Sequence, residues 1–330
     1  MSEQVDWEIP VQLQPKPHDC AFDLERTLLS VVGVRASVPD DAFTASILGT
    51  ERAGSGVVIR EDGLVLTVGY LVTEAETLWL SSRDGRATQG HVLAYDQETG
   101  FGLVQALGRL GLPALELGDA SLLRMEDPAI VAAGGGRRHA IRSVVVARQE
   151  FAGYWEYLLE SAIFTAPAHP FWGGSAMIGR DGTLLGIASL HVQQSTGEQA
   201  APQRAARDVN MIVPIDLLPP ILDDLLTYGR PNRPARPWLG LYAAESNDRI
   251  VVAGIAARGP AHAADIHPGD AILAVNGESV VDLAGLWRRV WASGDAGADV
   301  AMRLLRDAKV LMAHIRSADR ASYLKTPRVH

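Results

Sequence analysis

The feature that most constrains this fold is a series of short apolar runs between Ser30 and Ser189. Each run is only a few residues long and is separated from the next by Gly, Pro or an Asp-Gly pair, as in GSGVVIREDGLVLTV. Many short strands at this spacing are typical of antiparallel sandwiches and barrels. The number of runs fits two small barrels, so we predict a mostly β architecture for this part.

The pattern changes after the last of these runs. Ile221, Leu222, Leu225 and Leu226 recur at helical spacing, and the segment stops near Gly229, which predicts a helix. The proline-rich RPNRPARP that follows is typical of a stiff linker. The remaining residues alternate strand-like and helix-like runs, so we predict a second, small α+β unit.

Composition limits the classes of partner. A chain of 330 residues suggests about two domains at ~150 residues each. The net charge of -9 argues against a nucleic-acid partner, because phosphate binding requires a positive face. No apolar run approaches the ~20 residues of a membrane helix. We therefore expect neither a nucleic-acid partner nor a membrane span.

The N-terminal residues and the cysteine content suggest a compartment. The first twenty residues contain acidic side chains and prolines where a signal peptide would have a basic start and an apolar core. Cys20 is the only cysteine and has no partner for an internal disulfide. From these observations we expect a cytoplasmic location.

The residues HPGDAILAVNG, which include Pro268-Gly269-Asp270, resemble a PDZ domain of the bacterial type. With that module in place, Gly54-Ser55-Gly56, Asp96-x-x-Thr99 and the Gly173-Gly174 pair are similar to the trypsin-like domain of the HtrA/Deg family. The resemblance implies a trypsin-like double β-barrel followed by a small α+β PDZ domain. The predicted boundaries are an N-terminal extension 1–22, a protease-like domain 23–228, a linker 229–237, a PDZ domain 238–317 and a C-terminal tail 318–330.

The resemblance also assigns the catalytic positions. Where the family has its histidine, aspartate and serine, this sequence has Tyr70, Gly100 and Trp172. Pro170 stands at an oxyanion-donor position of the family, and proline has no N–H. Acyl transfer in this fold requires a hydroxyl, an imidazole, a carboxylate and two N–H donors. We therefore expect a pseudoprotease, that is, a chain that is not an active enzyme.

One alternative keeps serine endopeptidase activity. Ser175 would act as a displaced nucleophile, with His169 or His191 as its base.

The nine histidines lack a recognisable metal-ligand spacing, so we expect no metal and no cofactor.

The PDZ resemblance implies binding of protein or peptide C-termini. The carboxylate-binding loop is predicted at Trp238, Leu239, Gly240 and Leu241. The helix facing it would contribute four apolar side chains at i, i+3, i+4 and i+7. These are Leu283, Leu286, Trp287 and Val290. A second interpretation makes them all core residues, with no open groove.

Three classes of function follow from the resemblance: a scaffold without catalysis, a regulatory subunit assembled with an active homologue, and a peptidase with displaced chemistry. The family works in protein quality control and commonly forms trimers through N-terminal apolar residues. A homotrimer here would use Trp7, Ile9, Val11 and Phe22.

Overall fold

A computed structural model describes residues 7–194, 207–246 and 248–325. The described residues form two compact units. The first unit contains the residues up to Gln149, Ser161–Pro231 and Lys325. The second contains Glu150–Glu160 and Asn232–Leu324. The second unit is therefore built from two separate pieces of the chain.

The first barrel of the first unit is closed by six strands in the order β1-β2-β3-β6-β5-β4, with antiparallel register. Its strands are β1 (Val31–Ser37), β2 (Glu51–Val58), β3 (Leu64–Val68), β4 (Thr77–Ser81), β5 (Ala87–Tyr95) and β6 (Phe101–Ala106). Their inward residues, such as Leu64, Leu80 and Leu103, are fully buried. The short apolar runs of the sequence are these strands.

The second barrel closes in the order β10-β11-β12-β9-β8-β7. Its strands are β7 (Pro128–Ala132), β8 (Ala140–Gly153), β9 (Tyr157–Ala166), β10 (Ala176–Ile178), β11 (Leu184–Gln194) and β12 (Arg207–Pro214). Strands β8 and β9 are neighbours joined by only three residues, so they form a long hairpin. Its outer part, Glu150–Glu160, is called the hairpin tip below and belongs to the second unit.

Among the described residues, four α-helices accompany the barrels: α1 (Leu24–Leu28), α2 (Ala45–Leu48), α3 (Gly69–Val72) and α4 (Pro219–Tyr228). Helix α4 confirms the helix predicted from the spacing of Ile221 to Leu226. Two prolines occupy its first turn, where no N–H partner is required, and Gly229 ends it in the left-handed conformation.

The second unit contains one sheet in the order β13-β14-β15-β17-β18, with β16 paired to β15. Its elements are β13 (Leu241–Ser246), β14 (Arg249–Ile255), α5 (Pro260–Ala263), β15 (Ala271–Val275), β16 (Glu278–Ser279), α6 (Leu283–Trp291), β17 (Asp299–Arg306) and β18 (Lys309–Arg316). Strand β13 lies at one edge of the sheet. Asp282 begins α6 by accepting a hydrogen bond from the Gly285 N–H.

The predicted fold class, mostly β with two barrels followed by a small α+β unit, is confirmed. The run YWEYLLESA is one of the short apolar runs that the sequence pattern predicts as strands, but it does not form a single strand, because β9 begins only at Tyr157. The residues before it form the turn of the hairpin. Across the parts of the chain that the structure describes, every helix is too short or too polar to cross a membrane.

Candidate functional site

In the first unit, Tyr70 lies on the single helical turn α3, directly after strand β3. Its hydroxyl donates to the carbonyl of Ser189 at 2.9 Å, and the side chain of Trp172 hydrogen-bonds to it. Burial raises the pKa of Tyr70 well above its usual range, and the contact with Trp172 opposes that rise only in part. Tyr70 is therefore a neutral hydrogen-bonding group, with no basic lone pair comparable to that of an imidazole.

Gly100 and Trp172 lie beside Tyr70. The Gly100 carbonyl accepts a hydrogen bond from the N–H of Gly69, the residue before Tyr70, at 2.7 Å. The indole ring of Trp172 stacks on the ring of His191, with centroids 5.3 Å apart. The three positions that the sequence assigned to the triad are thus neighbours in the fold. Their assignment as degenerate triad positions remains a prediction.

Ser175 and His169 lie on the same loop, and both are fully buried. The Ser175 hydroxyl donates to the carbonyl of Phe171 at 2.7 Å. Both ring nitrogens of His169 are also engaged: Nδ1 accepts from the Phe171 N–H, and Nε2 faces the His139 carbonyl at 3.0 Å. Burial lowers the pKa of His169 to about 4, against the effect of these hydrogen bonds. His169 is a neutral imidazole held by the backbone, without a lone pair directed at Ser175.

Two further residues, His191 on strand β11 and Pro170 on the loop, are at the surface. Nε2 of His191 is 3.9 Å from the carboxylate of Asp208, and the His191 ring stacks on the ring of Trp172. Pro170 is exposed and lies between His169 and Phe171. Deprotonation of Ser175 by His169 would require this loop to rearrange.

The N-terminal apolar residues proposed for a trimer mostly contact their own unit. The Trp7 ring stacks on Phe171 with centroids 3.8 Å apart, and Ile9 is buried. The ring of Phe22 packs over Gly182, where an added Cβ would lie 2.6 Å from it. Val11 is exposed. Trp7, Ile9 and Phe22 thus pack within their own unit and need no second copy of the chain to cover them. The trimer stays a prediction.

In the second unit, three consecutive backbone N–H groups converge on one carboxylate. Gly240 donates to Oε1 of Glu156 at 2.7 Å and Leu241 donates to the same oxygen at 2.9 Å. The Leu239 N–H lies 3.2 and 3.1 Å from the two oxygens. Gly240 has φ +75°, a conformation that favours glycine and lets successive N–H groups point the same way. These donors form a carboxylate-binding loop.

The remaining residues of the predicted groove have other roles. The Trp238 N–H donates to Ala318 at 3.0 Å, so Trp238 is not a fourth donor to the carboxylate. Leu286, Trp287 and Val290 are fully buried in the core of the unit, and Leu283 packs against that core. Three of the four helix residues are therefore core side chains, and the assignment of these four residues to a peptide groove stays a prediction.

Glu156 is the functional residue that the sequence reasoning missed. It occupies the last position of the three-residue turn between β8 and β9, with φ +60°. Such turns usually end in a left-handed residue, for which glycine is the common choice. A glutamate at this position does not match any sequence pattern that predicts a hairpin turn. The one unusual feature in the sequence is a charged residue between aromatic residues, in GYWEY.

The environment of Glu156 determines its charge. Burial raises the pKa of Glu156 to about 7. The N–H groups of Leu241, Leu239 and Gly240 and the positive charge of Arg320 act in the opposite direction, because each stabilises the carboxylate. The loop therefore compensates only part of the cost of removing this carboxylate from water.

Comparison with known proteins identifies both units. Residues 54–187 match the trypsin-like peptidase domain model, and residues 237–316 match the PDZ domain model. These matches confirm the predicted order of a trypsin-like domain followed by a PDZ domain.

Relatives with curated descriptions share the same two parts. A probable periplasmic serine endoprotease DegP-like from Halomonas elongata is 23% identical over 269 residues, covering 78% of this chain and 54% of that protein. Putative protease Do-like 14 from Arabidopsis thaliana is 26% identical over 286 residues, covering 76% of this chain and 62% of the relative. The chain thus spans about half the length of the DegP-like relative.

Solved structures show the same fold. The HtrA-type protease AlgW with decapeptide has a TM-score of 0.52 at 22% identity, covering 92% of this chain and 98% of that one. The serine endoprotease from Yersinia pestis has a TM-score of 0.52 at 20% identity, covering 94% and 99%.

Two expectations are corrected by these relatives. The prediction that the chain is not an enzyme is contradicted, because the relatives are named as serine endoproteases. The residues at three positions were too narrow a basis for excluding an activity. The predicted cytoplasmic location is also contradicted, since several relatives are named as periplasmic. A single cysteine is compatible with an oxidising compartment as well as a reducing one.

Proposed function

This chain belongs to the HtrA/Deg family of trypsin-like proteins with a PDZ domain, and we propose that it binds peptides through the carboxylate-binding loop of that domain. One observation carries the proposal: the N–H groups of Leu239, Gly240 and Leu241 all donate to one carboxylate. A peptide C-terminus presents the same chemical group. Capture of such a carboxylate by successive N–H groups is a recurring mode of peptide recognition.

Strand β13 supports an extended ligand. It lies at the edge of its sheet, and its Ala243 N–H donates to the Tyr154 carbonyl of the hairpin tip at 2.9 Å. An edge strand that donates outward in this way accepts an added strand. The proposed ligand is therefore an extended peptide with a free terminal carboxylate.

The experiment compares a free-acid peptide with its C-terminal amide. The probe is fluorescein-labelled Glu-Phe-Ala-Gly-Tyr-Trp-Val, whose first six residues copy the segment from Glu150 to Trp155. Its binding is measured on the full chain and on Glu156→Gly, which removes the side chain that holds the donors. We expect amidation to weaken binding by ~1.5–3 kcal/mol, the range for a hydrogen bond to a charged group.

Either of two results would contradict the proposed function. If neither protein binds the free acid, or if the amide binds equally well, the loop is not a reader of peptide C-termini. Circular dichroism of both proteins is the control for folding.

A second candidate function is serine endopeptidase activity, which the names of the relatives support. Ser175, with His169 or His191 as base, is the group that we propose for it. The hydrogen bond from Ser175 to the Phe171 carbonyl would have to break for the hydroxyl to attack a substrate. The same names support a periplasmic location for this chain.

Casein hydrolysis and fluorophosphonate labelling test the second candidate. If Ser175 is the nucleophile, the wild type hydrolyses casein and is labelled, and Ser175→Ala loses both. Activity that survives in Ser175→Ala would place the nucleophile elsewhere. A wild type that is neither active nor labelled, in a preparation free of other proteases, would contradict the candidate.

A further inference from the structure

The hairpin tip contacts all three parts of the peptide-binding groove within the second unit. Glu156 holds the carboxylate-binding loop, and the Tyr154 carbonyl accepts from edge strand β13. The Gly153 carbonyl accepts from Nε1 of Trp287 on helix α6 at 2.8 Å. The backbone of the tip and one side-chain carboxylate therefore make the contacts that an extended peptide and its terminal carboxylate would make.

Further contacts fix the tip in this place. Glu150 forms an ion pair with Arg288 of helix α6. Ala152 packs against the core of the unit. The Tyr154 ring lies 6.0 Å from the ring of Tyr242 on strand β13. The contacts extend along the tip from Glu150 to Glu156, which is the length of a short bound peptide.

The backbone at Glu156 indicates that its side chain has a specific use. A residue other than glycine at φ +60° costs about 1–2 kcal/mol relative to ordinary backbone. Glycine would avoid that cost in a three-residue turn. Glutamate adds a second cost, since its carboxylate is buried. The hydrogen bonds to the loop offset part of these costs.

We propose that the hairpin tip is an internal ligand that closes the peptide groove, with Glu156 in the place of a ligand's terminal carboxylate. A peptide must displace the tip in order to bind. This inference rests on the proposed function of the loop in one respect only, namely that the ligand competing with the tip is a peptide. Occupancy of the groove by the tip can be measured without any peptide.

Hydrogen exchange of the Leu239, Gly240 and Leu241 amides tests the occupancy. We expect these amides to be protected in the wild type, and in Glu156→Gly we expect their exchange to be about tenfold faster or more, because their acceptor is gone. Glycine fits the left-handed turn position, so the hairpin is not strained by the change. Glu160→Gln is the matched control, because it removes an exposed carboxylate of the same tip. Unchanged protection in Glu156→Gly would overturn the proposal.

Peptide affinity tests the competition. The free-acid heptapeptide Glu-Phe-Ala-Gly-Tyr-Trp-Val should bind Glu156→Gly about tenfold more tightly or better than the wild type, since apparent affinity scales with the fraction of open groove. Glu160→Gln should bind like the wild type. Equal affinity of wild type and Glu156→Gly would overturn self-occupancy and leave peptide binding intact. If neither binds, the peptide function fails, and the exchange data still decide whether the tip occupies the loop.

A second variant tests the proposal if Glu156→Gly does not fold. Should Glu156→Gly fail to fold, as judged by circular dichroism, Glu156→Gln retains the side-chain length and removes the charge. It should show the same changes in exchange and affinity in smaller measure, and wild-type values for both would overturn the proposal.

Discussion

Two buried glutamates show how this chain uses carboxylates at the scale of single residues. Glu156 and Glu74 both have a left-handed backbone, at φ +60° and +61°, and both are buried. Each carboxylate accepts hydrogen bonds from N–H groups distant in sequence. For Glu74 the donors are the N–H groups of Phe43, Thr44 and Lys325 and the Thr44 hydroxyl, at 2.6 to 3.0 Å. A buried carboxylate with this many donors ties separate segments together.

Replacing Glu74 by glutamine should destabilise the first unit at pH 7. The amide keeps one acceptor oxygen and turns its NH₂ group toward N–H donors, so we expect a loss of ~1.5–3 kcal/mol, the range for hydrogen bonds to a charged group. The measurement is denaturant unfolding followed by tryptophan fluorescence. Glu76→Gln is the control, since Glu76 is an exposed glutamate two residues away. Equal losses for the two variants would contradict the role assigned to Glu74.

The same pair of proteins should show a pH dependence with a definite sign. Burial opposes ionisation of Glu74, but the hydrogen bonds from Thr44, Lys325 and Phe43 outweigh it, so its pKa in the folded chain is lowered. A lowered pKa contributes stability above the unfolded value of about 4.3, and this stability is lost as pH falls through the folded value. The difference between wild type and Glu74→Gln should therefore shrink below about pH 4.

At the scale of elements, the loop before strand β10 packs directly on the first barrel. Gly174 has φ +78°, and a Cβ there would lie 1.9 Å from the Ser55 carbonyl oxygen and 2.6 Å from Oγ1 of Thr67. The Ser55 N–H also donates to the Gly173 carbonyl at 2.8 Å. Gly174 is therefore needed for this close approach of backbone to backbone, whichever chemistry the loop performs.

Comparing Gly174→Ala with Gly85→Ala should separate the steric clash from the backbone strain. Gly85 has φ +82° and nothing within 4 Å of its added Cβ, so its replacement carries only the left-handed cost of about 1–2 kcal/mol. Gly174→Ala should lose that amount and about 1–3 kcal/mol more for the overpacking. Unfolding by guanidinium chloride measures both, and equal losses would show that the loop moves away from Ser55 at no cost.

At the scale of the whole molecule, much of the fold was predictable from sequence. The short apolar runs predicted the barrels, and Pro268-Gly269-Asp270 and the Gly173-Gly174 pair indicated the trypsin-like and PDZ domains that the family matches confirm. These features are local, since strand length, turn residues and helical spacing depend on neighbours along the chain.

The occupant of the carboxylate-binding loop was decided only by the tertiary structure. Glu156 and Gly240 are far apart in sequence, and their contact depends on where a long hairpin ends relative to a sheet edge. The core positions of Leu286, Trp287 and Val290 likewise depend on packing from both pieces of the second unit. The sequence determined which segments are strands and which loop can bind a carboxylate. Only the fold determined which carboxylate the loop holds, because that contact joins residues that no local pattern connects.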